Sequence, residues 1–357
     1  MHAKTTSCLL LSVLCACAGT RGVAPGPAAP SAAIRDAAPA PREAPVPADA
    51  LALVPADASL VATVDVVELA ASKSFPTWRG WAQEHSCLRS DDLTWLTGQS
   101  ARIVFAGRST ANQPVDLLVL LQGKYGANDV ERALDLLADQ DRGATAKPRS
   151  HRMHGRFSVT DAGLLSAAQL DEHLLILGSG RWLDASLDLI SFEAHPRWLD
   201  GSATRALAER IDCQHKTVCA QVQPSGPTAE VVEAELGAVG APSLGHNVSH
   251  APLALALDAK AGLRLAVAMQ LGSAEQADSV VKLVNDWLWQ VGVFAHLAGF
   301  PDVLDAAKVR AQAEVAQLDF PIGQDDLESI EKRVAGMLQG MDPPQCKAPA
   351  KQAGPAP

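Results

Sequence analysis

The residues that could do chemistry are few, and their spacing decides against most of it. Gly178-Ser179-Gly180 stands where an apolar run gives way to a helical pattern, the place of a nucleophile elbow, but the full Gly-x-Ser-x-Gly pattern is missing. A later stretch with the same grammar, Ile322-Gly323-Gln324-Asp325, carries Gln324 where the serine would be. The shared need is therefore a tight turn and a helix start, not a hydroxyl. His151 and His154 fall in a predicted strand, where residues three apart point to opposite faces and cannot share an ion. His246 and His250 have helical i, i+4 spacing, yet Gly245 and Pro252 around them predict a loop, and no acidic residue of a zinc hydrolase lies between them. Gly123-Lys124 is followed by Tyr125 and lacks the upstream glycine of a phosphate loop. Asp91-Asp92 and Asp325-Asp326 are adjacent, so their side chains diverge, and they read as helix-start charges. No catalytic residue, metal ligand or cofactor is assigned.

One stretch has a composition that points to contact. Val284–Phe300 packs Trp287, Trp289, Val291, Val293, Phe294, Leu297 and Phe300 into a single helical pattern, apolar on more than one face. Such a helix is either buried between layers or presents a surface to an apolar ligand or a protein partner. Asp286 and His296 argue against membrane insertion. Trp287, Trp289 and Phe294 are the candidate contact residues.

Along the rest of the chain, the elements alternate strand and helix. Leu60–Val66 reads as a strand, and Ala101–Phe105 with Val115–Leu121 as a hairpin across Ser109–Gln113. Asn128 and Glu131 form a capping-box pattern ahead of a stripe of Val130, Ala133, Leu134 and Leu137. Arg156–Val159 and Leu174–Leu177 read as strands, followed by a helix from Arg181 to Ile190. A second segment echoes the order. Leu253–Leu257 and Leu263–Leu271 form a hairpin, Ser273 and Gln276 repeat the capping box, and Ala277, Val280, Val281 and Val284 repeat the stripe. Val309–Phe320 reads as one strand and a helix follows. The predicted fold is α+β, with two related modules of antiparallel strands and packed helices arising from an internal duplication.

Seven cysteines include Cys8, Cys15 and Cys17 near the start, leaving Cys87, Cys213, Cys219 and Cys346. Four cysteines allow three pairings. Cys213 and Cys219 bracket a short loop that would close locally, leaving Cys87 for Cys346; free thiols or a metal site are the alternatives, although CxxC spacing is missing. A net charge of −10 argues against nucleic acid, whose backbone is held by Lys and Arg.

A basic start at Lys4 leads into the short apolar run Leu9–Cys17, which closes with Leu14-Cys15-Ala16-Cys17. This resembles the lipobox of bacterial lipoproteins; the alternative is secretory cleavage near Ala16-Cys17-Ala18. The resemblance implies a signal peptide over 1–17, acylation (palmitate among the chains) at Cys17, and a body held outside the cytoplasm on the membrane. Ala18 after the cysteine leans toward the outer membrane. Residues 18–50, rich in Ala and Pro, read as a disordered tether. Residues 51–250 hold the first module, with its strands and helices over 53–195, and a connecting region with a helix near Thr228–Leu236. Residues 251–341 form the second module and 342–357 a disordered tail. The opening Pro55-Ala56-Asp57 and the strand-Gly-x-x-helix ends also resemble duplicated, uncharacterised extracytoplasmic proteins, a resemblance that implies no activity. The expected function is a non-catalytic, lipid-anchored envelope protein that binds a protein partner or an apolar ligand. The alternatives are an extracytoplasmic hydrolase with a dispersed site and a purely structural envelope protein.

Overall fold

Long runs of branched and aliphatic residues punctuated by polar turns build one antiparallel sheet. The computed structural model describes residues 45–73, 75–76, 79–80, 90–110, 113–138, 149–191, 197–198, 203–224, 226–238, 240–297 and 303–330. The lipobox, most of the tether, Trp78, Trp81, Cys87, Phe300, Cys346 and the tail lie outside them. The strands are β1 (Leu60–Asp65), β2 (Ser100–Thr110), β3 (Gln113–Gly123), β4 (Ser150–His154), β5 (Phe157–Ala162), β6 (Leu165–Gln169), β7 (Leu174–Ser179), β8 (Val218–Val222), β9 (Leu253–Asp258), β10 (Leu263–Gln270), β11 (Lys308–Gln312) and β12 (Val315–Ile322). Their order across the sheet is β11-β12-β10-β9-β8-β1-β2-β3-β7-β6-β5-β4. Read outward from the central β1–β8 pair, the order is β1-β2-β3-β7 on one side and β8-β9-β10-β12 on the other. The wiring thus repeats, with a helix between the third and last strand of each set.

The helices are α1 (Val66–Ala71), α2 (Ser90–Gln99), α3 (Asp129–Ala138), α4 (Gly180–Ser191), α5 (Ala203–Arg210), α6 (Pro227–Ala238), α7 (Pro242–Val248) and α8 (Ala274–Leu297). They fall on two faces, because paired residues of neighbouring strands point the same way. On one face, Val61, Val104, Leu118, Leu120 and Ile176 pack under α4 and the 3-10 turn Ala50–Leu53. On the other, Ile103, Val119, Leu121, Leu175 and Leu177 pack under α1, α2 and α3. The first half of the sheet is therefore covered twice, which is why β3 carries the unbroken run Leu117-Leu118-Val119-Leu120-Leu121.

In the second half, α5 covers Ala254, Ala256, Ala266 and Ala268 on the α4 face, and α7 and α8 pack on the opposite face near Met269, Leu271 and Ala316. The disulfide Cys213–Cys219, with sulfurs 2.07 Å apart, ties a 3-10 turn to β8 beneath α5.

Several local expectations change. The run read as one strand over Val309–Phe320 is the hairpin β11–β12, turned at Ala313-Glu314. Ala313 has φ +52°, a left-handed conformation for which the sequence offers neither Gly nor Asn as a signal. The loop predicted around His246 is α7, started by Pro242 at its first turn, where a missing N–H costs nothing. At α3 the Gly126 N–H donates to Asp129 at 2.7 Å, and Glu131 turns to Arg149. The strands β6 and β8 were not foreseen.

Candidate binding surface

Helix α8 begins with the predicted capping box: Gln276 N–H donates to Ser273 Oγ at 3.2 Å, and Gly272 N–H donates to Gln276 Oε1 at 3.0 Å. Its first half behaves as the stripe requires, with Ala277 and Val280 buried and Val281 and Val284 packed beside them. It leads from the end of β10 back to the start of β11, which runs parallel to β10 because both pair antiparallel with β12. Length then becomes decisive. Twenty-four helical residues span about 36 Å, while the eight residues of β10 span about 27 Å. The helix overshoots the sheet.

The overshooting turns are apolar. Trp289 is 72%, Phe294 72%, Leu297 77% and Val293 42% exposed. Charge is segregated along the axis: Glu275, Asp278, Lys282 and Asp286 occupy the first half, and no Asp, Glu, Lys or Arg occurs from Trp287 to Leu297. Trp287, about 200° around the helix from Trp289, is half-buried and has a partner of its own. So two of the three candidate contact residues, Trp289 and Phe294, share the open surface, and Trp287 faces inward.

The polar candidates sit in structural networks. Gly178 is required by the close approach of β3: a Cβ there would lie 2.6 Å from the Leu117 carbonyl oxygen. Ser179 Oγ donates to Asp116 at 3.4 Å, and this buried carboxylate is also held by Arg108 at 3.1 Å and by Arg181. Arg108 in turn pairs with Asp57 and stacks over the Trp182 ring at 6.0 Å. His151 Nδ1 lies 3.1 Å from Thr160 Oγ1, while His154 Nε2 lies 2.8 Å from Asp188, on the other side of β4 as strand geometry requires. His246 Nδ1 lies 3.5 Å from Glu233 Oε1 of α6. Among the described residues, no group of three or more His, Cys, Asp or Glu has metal-holding geometry. Burial pushes the Tyr125 hydroxyl up to about 12, where it shares a 2.8 Å hydrogen bond with Ser100.

A second apolar surface was missed in the sequence. On the α8 face of β8, β9, β10 and β12, Leu253, Leu255, Leu265, Val267, Leu318 and Phe320 are only half-buried. Their alanine neighbours Ala254, Ala256 and Ala268 on the opposite face are at most 1% exposed. The large side chains thus point to the incompletely covered side and the small ones to the core. The Leu-Ala alternation of Leu253–Leu257 was the signal that could have revealed it.

No helix among the described residues is long and apolar enough to cross a membrane. No protein-family model matches the chain, and no curated protein matches it. Among solved structures it is similar to crystal form III of TP0453, with a TM-score of 0.49, 11% identity, and 80% of this chain and 99% of that one covered. Crystal form I gives 0.46, 10%, 80% and 97%, and crystal form IV gives 0.45, 11%, 80% and 96%. Likeness at this level carries no activity, ligand or partner across.

Proposed function

We propose that this chain is a non-catalytic, lipid-anchored envelope protein that works by binding, with the overshooting end of α8 as its contact surface for a protein partner. The observation that carries the reading is the exposed group Trp289, Val293, Phe294 and Leu297. Large aromatic side chains of this kind, left open at a rigid helix end, are what interface centres are made of. The convex shape of a helix end suits a partner's groove better than a small molecule. Acylation at Cys17 and an outer-membrane address follow from the lipobox resemblance, and the internal duplication is supported by the repeated strand wiring.

The test is crosslinking on intact cells, comparing the wild-type chain with the double variant Trp289→Ala, Phe294→Ala. A discrete crosslinked species that disappears in the variant, with the melting temperature unchanged, is the expected result. An identical crosslinking pattern in both sinks the α8 reading. Incorporation of labelled palmitate that is lost in Cys17→Ser checks the anchor separately.

A further inference from the structure

We propose that the partner met by the open side of α8 is a second copy of this chain, the two helices crossing antiparallel about Val293. The inference rests on the α8 contact reading and names its partner.

The open residues do nothing for the fold. Toward the sheet α8 already presents Val280, Val281, Val284, Trp287, Leu288 and Val291, all buried or half-buried. Trp289, Val293, Phe294 and Leu297 lie on the opposite side, in line with the exposed Lys282 and Asp286 of the first half. A face that only met water would continue with such polar residues.

Area and charge then select the occupant. Large aromatic side chains bring ~150–250 Å² each, so the exposed parts of these four residues amount to roughly 500 Å² per copy. Two copies would bury about 1,000 Å², the size at which a specific interface begins. The chain carries a net charge of −10, so two copies repel, and a shared face must hold its like charges apart. The open side of α8 does so in one orientation. Asp286, the nearest charge in the helix, stands seven residues before Val293. In an antiparallel pair about Val293, the two Asp286 residues lie roughly 21 Å apart along the axis, beyond a Debye length of about 8 Å. A parallel, in-register pair would set each Asp286 and each Lys282 against its own like.

The apolar pattern is symmetric about the same residue. Trp289 and Leu297 stand four residues to either side of Val293, about 6 Å along the axis. A twofold there brings Trp289 of one copy level with Leu297 of the other, as an isologous contact requires. Val293 meets its own counterpart, and the two Phe294 rings fall on one flank of the axis, side by side. A foreign partner would need no such symmetry.

The test is disulfide trapping of the full chain on intact cells with a mild copper oxidant. Val293→Cys places a thiol on the axis and should give a reducible species of twice the chain's mass that the wild-type chain does not form. Adding Trp289→Ala with Phe294→Ala should lower its yield at least tenfold while the melting temperature holds. Asp286→Cys should give none. An Asp286→Cys pair as abundant as the Val293→Cys pair overturns the antiparallel crossing. No covalent pair from Val293→Cys overturns the proposal, and amine crosslinking of the wild-type chain then separates the cases. A species of another mass that the double variant loses leaves the α8 reading standing with a different partner; no species at all removes both. A Val293→Cys thiol that neither pairs nor reacts with a water-soluble maleimide would assign the face to a bilayer and likewise overturn the proposal.

Discussion

The two halves of the sheet share their wiring and differ in what their faces are for. In the first half both faces are sealed: Leu120 and Ile176 on one side and Leu121 and Leu175 on the other lie under helices, and all four are at most 4% exposed. In the second half the alanine face is sealed, while on the other face Leu257 is buried but Leu253, Leu255, Leu265, Val267, Leu318 and Phe320 stay half-buried. The lesson is that an apolar residue in a strand is not evidence of core; the core is where the coverage is, and coverage is decided by helices far away in sequence.

That difference can be broken by substitution. Leu120→Ala should cost about 3 kcal/mol by urea denaturation, the transfer loss plus an unfilled cavity between two layers. The same truncation at half-exposed Leu255 should cost under about 1 kcal/mol, and equal losses would mean the second half is as sealed as the first. Next in size, Ala268→Leu should destabilise by about 1–3 kcal/mol, because the α5 side is packed against alanine with Ala268 fully buried. A neutral result there would show that α5 rides loosely.

The smallest expected effect is electrostatic. Hydrogen bonds of 2.8 and 2.7 Å from Arg264 hold the Asp319 carboxyl below its usual range. A lowered folded pKa means the pair's contribution is complete above the unfolded value near pH 4 and is lost as the pH falls through the folded one. Asp319→Asn should therefore cost under about 1 kcal/mol at pH 7, since the pair is solvent-screened, and the gap from wild type should close in strong acid. A gap that persists at pH 2 would point to packing rather than charge.

Much of the architecture was readable in the chain. The capped, striped start of α8, the β2–β3 hairpin, the β9–β10 hairpin and the Cys213–Cys219 closure all rest on contacts within a few residues. What was hidden was long-range or weakly marked. β8 is five residues with no large alternation, and its role as the central neighbour of β1 depends on a partner more than 150 positions away. The turn at Ala313 uses a residue that rarely turns. The contact surface was half legible: composition singled out Trp289 and Phe294, but it took the packing of α8 to separate them from Trp287, which lies about 200° around the helix from Trp289 and faces inward. The half-buried leucine face of β9 and β10 was only half legible, because the Leu-Ala alternation shows that the strand has two unlike faces and not which of them is roofed.

The entry of the chain into the body has a mechanical consequence. Ala50, Leu53 and Val54 are fully buried, Ser186 Oγ donates to the Leu53 carbonyl at 2.6 Å, Trp198 N–H donates to that of Val54 at 3.0 Å, and Gln122 holds the Ala48 carbonyl at 2.8 Å. A pull on the chain ahead of Val46 meets this plug before it reaches β1. The load would spread across α4, β3 and the loop at Trp198, so tension on the preceding segment would have to break this plug before it could unzip β1.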